Sequence, residues 1–493
     1  MKLFRFRGGV HPKGYKELSE DLAIEQLPLP SKLYIPLQQH IGDPADVAVS
    51  IGQSVLKGQV LGHSQGTISA PVHASSSGTI IDILNFTAPH PSGLAVKTVV
   101  LQTDGKDQQT HNTIPLSPFN LSPEEVATRV GAAGIVGLGG AAFPSAVKLY
   151  QGVTRAIDTL IINGGECEPF LTCDDRLMRE RAEEVIDGIR IMLHTLKIKK
   201  ALVAIESNKP TALQEMKQAS KICPEVTVVK VPTRYPMGWD KQLIRILTGR
   251  EVPAGKRSAD LGVIVHNVAT AYAIHEAVRY VKPLISRIVT VSGDAIIKPK
   301  NVEVRMGTLV SELLDYSGLN SSDYRLVMGG PMMGQALPHA QVPVVKGCNG
   351  IVVLSNNMAP VQSSQACIRC SQCISACPVG LLPLEMVTRI KKGDYKSAND
   401  IGLKDCIGCA SCSYVCPANI PLVHYFNFAK GKIRDQQQVQ IKNQKTKKLA
   451  EAKRVRIAAI EKSKKEAAAA RKAQRAAEKA KKQQLTQHSD AST

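Results

Sequence analysis

The spacing of apolar residues changes three times along the chain. Up to residue 112, short apolar stretches such as Asp46–Gly52, Ser54–Gly62 and Thr79–Leu84 alternate with Gly, Pro and Ser turns, which predicts a β-rich unit. From 113 to 285, solid apolar runs at 158–163, 201–205, 226–230 and 261–266 predict strands buried on both faces. Amphipathic stretches at 174–195, 210–220, 239–248 and 268–280 predict helices between them. Ser122-Pro-Glu-Glu125 predicts a capping box with proline in the first helical turn. Strand–helix alternation predicts a mostly parallel, three-layer α/β sheet. From 286 to 345 short strands return at Arg287–Gly293 and Val302–Thr308, followed by a helix over Leu309–Tyr316 and a tight turn at Gly329–Gly334. Beyond 431 the pattern stops. Leu449, Val455 and Ile460 are too sparse for a coiled-coil seam, so 431–493 is expected to be a basic Lys/Ala-rich tail, a single helix or disordered.

The cysteines add the first chemistry. Cys367, Cys370, Cys373 and Cys377-Pro378 form a C-x2-C-x2-C-x3-C-P run, and Cys406, Cys409, Cys412 and Cys416-Pro417 repeat it. Two such runs are the pattern of two [4Fe–4S] clusters in which each fourth Cys ligates the other cluster. On that rule Cys367, Cys370, Cys373 and Cys416 hold one cluster; Cys406, Cys409, Cys412 and Cys377 hold the other. A disulfide framework belongs to short secreted chains, and structural zinc to pairs of cysteines separated by a long gap. Neither explains the doubled run. Residues 358–430 are therefore expected to be an α-helical double-cluster ferredoxin domain. Cys167, Cys173, Cys223 and Cys348 read as ordinary buried thiols.

Charge changes the picture at one end. The chain carries 62 Lys+Arg against 42 Asp+Glu, a net of +20. Residues 430–493 account for 19 against 6, a net of +13, which leaves 43 against 36 for the rest. A separate basic tail on an iron–sulfur protein reads as an anchor to acidic lipid headgroups or a partner, or as a solvated helix, rather than as a nucleic-acid site. No apolar run approaches the ~20 residues of a membrane-spanning helix, and Met1–Gly9 lacks the apolar core of a secretory signal. The protein is therefore expected to stay on the cytoplasmic side.

A second specific stretch runs from Gly134 to Lys148. Its glycines let the backbone approach a phosphate at a helix start, and Lys148 adds a point charge. Gly137-x-Gly139-x-x-Ala142 also matches the dinucleotide fingerprint, but Asp158 stands at the start of its strand and not at its end. A Rossmann site, a structural turn, and a non-Rossmann nucleotide or flavin loop all remain open; the last is favoured. At the next strand's carboxyl end, where α/β sheets bind ligands, comes Asn163-Gly-Gly-Glu166-Cys-Glu168-Pro169.

Three resemblances follow from these motifs. The order V-x-x-G-Q-x-V-x-x-G-Q over 49–59, with Ala70-Pro-Val-His73-Ala and Gly78-Thr-Ile, resembles lipoyl-type barrel-sandwich domains, without the modified Lys at the hairpin tip. His73 there reads as structural. The run from Val291-Ser-Gly-Asp to Leu313-Leu resembles a small β-grasp ligand-binding module of the SLBB type. The Gly loop followed by N-x-x-E-x-E-P resembles the NADH- and FMN-binding subunit of respiratory complex I. Together with the two cysteine runs, the chain to about 430 is similar to the RnfC subunit family of Rnf-type ion-translocating electron transport complexes.

That resemblance implies roles by position. Gly137, Gly139, Gly140 and Lys148 would cradle the FMN phosphate and ribityl chain. Asn163 and Glu166 would hold the isoalloxazine side, Phe143 would stack on NADH, and Glu168 would contact it. Tyr235–Asp240 and Val265–Thr270, with Asn267, resemble further flavin-pocket loops. Leu138 and Gly165 stand where relatives carry an Arg and an acid. The expected fold class is multidomain α/β plus β: a barrel-sandwich domain (1–112), a three-layer flavin/NADH domain (113–285), a β-grasp module (286–345), the ferredoxin-type domain (358–430) and the tail. The implied function is an electron-input, translocase-type oxidoreductase subunit that oxidises NADH through FMN and two [4Fe–4S] clusters toward membrane subunits. An iron–sulfur adaptor without hydride chemistry is the rival.

Overall fold

The computed structural model describes residues 3–110, 116–360 and 362–489. The expected boundary at 112/113 lies outside the described residues. The centre of the molecule is a parallel sheet in the order Val226–Val231, Ala201–Glu206, Thr159–Gly164, Val263–Asn267. Its strands alternate their side chains between two cores. Leu160, Ile162, Val203, Ile205 and Ile264 face a large core built with the helices Pro123–Ala132, Ser145–Thr154, Ala182–Leu196 and Val268–Tyr280. Ile161, Leu202, Ala204, Val263 and Val265 face a smaller one built with Asp240–Thr248. This period of two is why the runs read as apolar throughout. The expected helix over 174–195 is two helices, Cys173–Glu180 and Ala182–Leu196, separated at Arg181 (φ −133°, ψ 36°). Ser122 and Glu125 close the predicted capping box in both directions.

The barrel-sandwich part packs a four-stranded sheet (Lys32–Pro36, Ala95–Thr103, Gly78–Thr87, Ser54–Val55) on a three-stranded one (Asp46–Val47, Val60–His63, Val72–His73). Leu33, Ile35, Leu61, Val72, Ile80, Val99 and Leu101 fill its core. The hairpin tip is docked. Ala70 joins the large α/β core, and Lys346 Nζ donates both to Pro71 O (2.9 Å) and to Gly134 O (2.7 Å). His73 is buried here, and loss of solvent lowers its pKa to about 3.

The β-grasp sheet is larger than the pattern predicted. Its order is Glu25–Gln26, Lys300–Arg305, Ser286–Ser292, Gly350–Ser355, Tyr324–Met328, Gln335–Ala336. Gly350–Ser355 lies beyond residue 345 yet pairs with strands on both sides, and Glu25–Gln26 comes from the N-terminal region. Apolar pattern marks a strand but does not name its sheet. The double-cysteine region follows as short helices around Met386, Val387, Ile390, Leu403 and Phe426. The last helix, Leu422–Ser489, starts inside this domain and runs into the tail without a break at 430/431. No helix of the described residues is long and apolar enough to cross a membrane.

Candidate functional site

The glycine loop turns between two paired segments. Val136 and Pro144 bridge, Gly137 N donates to Phe143 O (2.8 Å), and Ala142 N donates to Gly137 O (3.1 Å). The loop ends on the helix Ser145–Thr154, with Pro144 at its N-cap, so backbone N–H groups converge there. Leu138 N donates to Thr270 Oγ1 (2.9 Å), which ties the loop to the helix after Asn267. A Cβ on Gly139 would stand 3.2 Å from Asn267 Cβ, whereas one on Gly140 (φ +106°) would meet nothing within 4 Å. Phe143 is half-buried beside it. Ser145 Oγ is buried without a partner among the described residues.

Lys148 stands differently from the role the resemblance implies. Its Nζ donates to Val265 O (3.0 Å), the last strand's own carbonyl, and burial lowers its pKa. Its charge therefore sits behind the loop, at the carboxyl edge of the sheet. Asn163 Nδ2 donates to Gly238 O (2.7 Å), and its Oδ1 accepts from Gly165 N (2.9 Å). This holds the Tyr235–Gly238 loop over the strand end. Asn267 caps the helix Val268–Tyr280 by accepting from Ala269 N (2.9 Å), and donates to Asp174 Oδ2 (2.6 Å).

The two glutamates are both occupied. Glu166 is buried and accepts from Asp174 N (2.9 Å), Asp175 N (3.4 Å) and Cys173 Sγ (3.3 Å), so it seals the start of the helix Cys173–Glu180. Burial, together with the Glu166 charge, pushes Asp174 up to about 7. Glu168 accepts from Met332 N (3.0 Å) and Met333 N (2.9 Å) of the Gly329–Gly334 turn, and from Tyr235 Oη (3.4 Å). Burial pushes its carboxyl up to about 7 against the opposing pull of those hydrogen bonds.

Charged neighbours that carry no motif complete the edge. Lys16 Nζ donates to Glu168 O (3.0 Å) and Leu171 O (2.5 Å). Lys209 Nζ pairs with Glu206 Oε2 (3.1 Å) and donates to Glu166 O (3.3 Å). Glu206 is 0% exposed and its Oε1 has no partner among the described residues. Glu206 ends the apolar run 201–205, so its place at a strand's carboxyl end was the available signal. Nothing local marks Lys16, which arrives from 152 residues away in sequence. The bare Gly139–Gly140 backbone, the helix start and the orphaned Ser145 and Glu206 oxygens suit a flavin mononucleotide: anion-binding amides at one end and hydrogen-bonding groups at the other. A separate cavity of about 260 Å³ backs onto this site from behind Leu138, Cys173 and Asp174. Its Lys57 and Arg305 pair with Asp107, and its Lys282 with Glu276.

The eight motif cysteines fall into two groups of four. Cys367, Cys370, Cys373 and Cys416 line one cavity; Cys377, Cys406, Cys409 and Cys412 line the other. Four sulfurs around one space is the donor set of a cubane cluster. The sequence repeat is also a backbone repeat. Arg369 and Gly408 (φ 56° and 71°), Ser371 and Ala410 (61° and 59°), and Gly380 and Asn419 (75° and 50°) are left-handed at equivalent places. Each run thus turns back on itself before a short helix, Gln372–Ala376 or Ser411–Tyr414, that carries its third cysteine. Cys173, Cys223 and Cys348 are buried thiols as expected, whereas Cys167 is only half-buried; desolvation raises the pKa of all four.

Comparison with known proteins agrees with this layout. Four family models match in chain order: the RnfC barrel sandwich hybrid domain (residues 4–106), the Nuo51 FMN-binding domain (130–276), the SLBB domain (288–336) and the 4Fe-4S dicluster domain (359–446). The chain thus combines an FMN-binding domain with an iron–sulfur domain. It is 43% identical over 459 residues to the RnfC subunit of the ion-translocating oxidoreductase complex of Haemophilus influenzae, covering 92% of this chain and 70% of that one. A solved NAD+-reducing [NiFe]-hydrogenase chain aligns with TM-score 0.46 and 20% identity, over 57% of this chain and 54% of that one. The corresponding RnfC subunit of Rhodobacter capsulatus is 48% identical over 439 residues, covering 89% of this chain and 85% of the relative. On that identity and coverage, the chain belongs to the RnfC subunit family of the ion-translocating oxidoreductase complex.

Proposed function

We propose that the protein accepts electrons from NADH at the carboxyl edge of the four-stranded sheet and releases them singly, through two [4Fe–4S] clusters, to partner subunits that move the ion. The observation that carries this reading is the adjacency of two kinds of site: Tyr235, in a loop held by Asn163, donates to Cys409 O at 2.8 Å. Bound FMN supplies the exchange between electron pairs and single electrons, and the clusters carry single electrons only. The chain's own residues do the rest. Gly139 and Gly140 offer backbone amides to the flavin phosphate, Gly137 turns the loop by donating to Phe143 O, and Lys148 supports that end with its charge from behind the loop. Asn163 and Asn267 hold the two loops flanking the ring position, and Glu166 locks the adjoining helix start. Phe143 offers a half-buried face for the dinucleotide. Glu168 contacts the dinucleotide once the Gly329–Gly334 amides that now bind its carboxylate are displaced.

The ligand sets we assign are Cys367, Cys370, Cys373 and Cys416 for one cluster, and Cys406, Cys409, Cys412 and Cys377 for the other. Cys377→Ala then abolishes the cluster built on Cys406, Cys409 and Cys412; iron analysis and EPR showing loss of the other instead would overturn the crossed assignment. The central experiment is an anaerobic titration. NADH bleaches the iron–sulfur absorbance of the full chain with flavin bound. Bleaching by dithionite alone, with flavin absent, would leave the adaptor reading. We also infer a peripheral position on the cytoplasmic face of the inner membrane, for which the exposed basic helix beyond 435 is the support.

A further inference from the structure

Residues 3–10 do not join the barrel-sandwich. Leu3 and Phe6 pack on the smaller α/β core, and Phe4 N donates to Ile246 O (3.0 Å). Val10 exchanges two backbone hydrogen bonds with Tyr235 (2.9 and 3.0 Å). Between these anchors the strap meets the ferredoxin-type domain. Gly9 N donates to Ala376 O at 2.8 Å. Gly8, at φ +63°, lies so close that a Cβ would stand 2.4 Å from Cys377 O and 2.8 Å from Pro378 N. Two side chains of the α/β domain reach the same face: Tyr235 Oη donates to Cys409 O (2.8 Å), and Gln242 Nε2 to Pro378 O (2.9 Å). Val10, Tyr235, Ala376 and Cys409 share one small buried core.

All four contacts end on backbone at or beside Cys377 and Cys409, which line the same cavity. In the other group, Cys367 and Cys370 are exposed. General domain packing has no reason to select one cysteine group and to meet the polar backbone of its members. We propose that the N-terminal strap, through Gly8, together with Tyr235 and Gln242, is a positioning device that holds the Cys377, Cys406, Cys409 and Cys412 group against the flavin pocket. Tyr235 is its central member, because its hydroxyl also lies 3.4 Å from Glu168 Oε1. A donor on the carbonyl of a ligand cysteine offsets the charge a cluster gains on reduction, so Tyr235 also raises that cluster's potential. The proposal rests on the ligand sets assigned above.

The test is an EPR-monitored redox titration of the full, anaerobically isolated chain with chemical mediators, independent of NADH. Cys412→Ser and Cys370→Ser first identify which signal belongs to which group. Tyr235→Phe, which removes one hydroxyl, is expected to keep the iron content while moving only the Cys412-dependent signal to a more negative potential. Gly8→Ala is expected to perturb the same signal, whereas Gly14→Ala, whose Cβ would meet only Lys16 Cγ at 3.8 Å, leaves both as they are. Unmoved signals in Tyr235→Phe, or equal shifts of both, with iron retained, overturn the proposal. If Cys412→Ser removes both signals or neither, the ligand assignment fails and the proposal falls with it.

Discussion

At the residue scale, Glu168, which we propose contacts NADH, is held by an element distant in sequence. Its carboxylate receives two amides of the Gly329–Gly334 turn, yet burial raises its pKa from 4.5 to about 7. The folded protein therefore binds a proton that the unfolded chain does not between those pH values, so this group makes stability fall as pH rises from 4.5 to 7. Glu168→Gln is expected to flatten that part of a Tm-against-pH profile; an unchanged slope would mean that another group sets it. Gly139 carries a second prediction. Gly139→Val forces a side chain against Asn267, whose Cβ would already be 3.2 Å from a bare methyl. Overpacking of this kind costs ~1–3 kcal/mol, which is about 5- to 150-fold if it falls on flavin affinity. Flavin content after desalting should fall accordingly while iron content holds.

At the scale of elements, the central strands are legible because both faces are buried. Ile162 is 0% exposed in the large core, so Ile162→Ala should lower unfolding stability by ~2–5 kcal/mol in denaturant titration. Ser122→Ala, which breaks a two-way capping box, should cost about 1 kcal/mol. Phe426 and Ala429 are buried in the ferredoxin-type domain and Ile433 packs against its core, so the tail begins functionally after Asp435. Deleting 436–493 should leave iron and flavin content unchanged and weaken sedimentation with anionic vesicles in low salt. Retained vesicle binding would remove the tail from membrane contact.

At the scale of the whole molecule, the chain is an electron-transfer subunit of an ion-translocating oxidoreductase complex and works with other subunits of that complex. Its domains are fastened by polar contacts that cross long stretches of sequence. Lys346 reaches the barrel-sandwich tip and the α/β domain at once, and Lys16, beyond the strap, reaches the backbone of Glu168. The hairpin tip that carries a mobile arm in lipoyl-type domains is here a packed wedge, with Ala70 in a neighbouring core. A rigid molecule suits electron transfer between fixed centres, because distance governs the step.

Local signals settled the elements and the chemistry that depends on short spacing. Apolar runs mark the four parallel strands, glycines mark the loop before Ser145, and the doubled cysteine run marks both clusters, since three of the four cysteines grouped around each cavity are neighbours within a few residues. Tertiary structure alone decided which groups meet across the chain. Gly350–Ser355 and Glu25–Gln26 join one sheet. Lys148 turns to a strand carbonyl, Glu166 to a helix start and Glu168 to a distant turn. Gly8 comes to rest on Cys377, 369 residues away in sequence. Spacing and periodicity describe neighbours within one or two turns of chain. Hydrogen-bond partners of a buried charge are chosen by whatever polar backbone the folded domains bring within about 3 Å, and no short window of sequence records that.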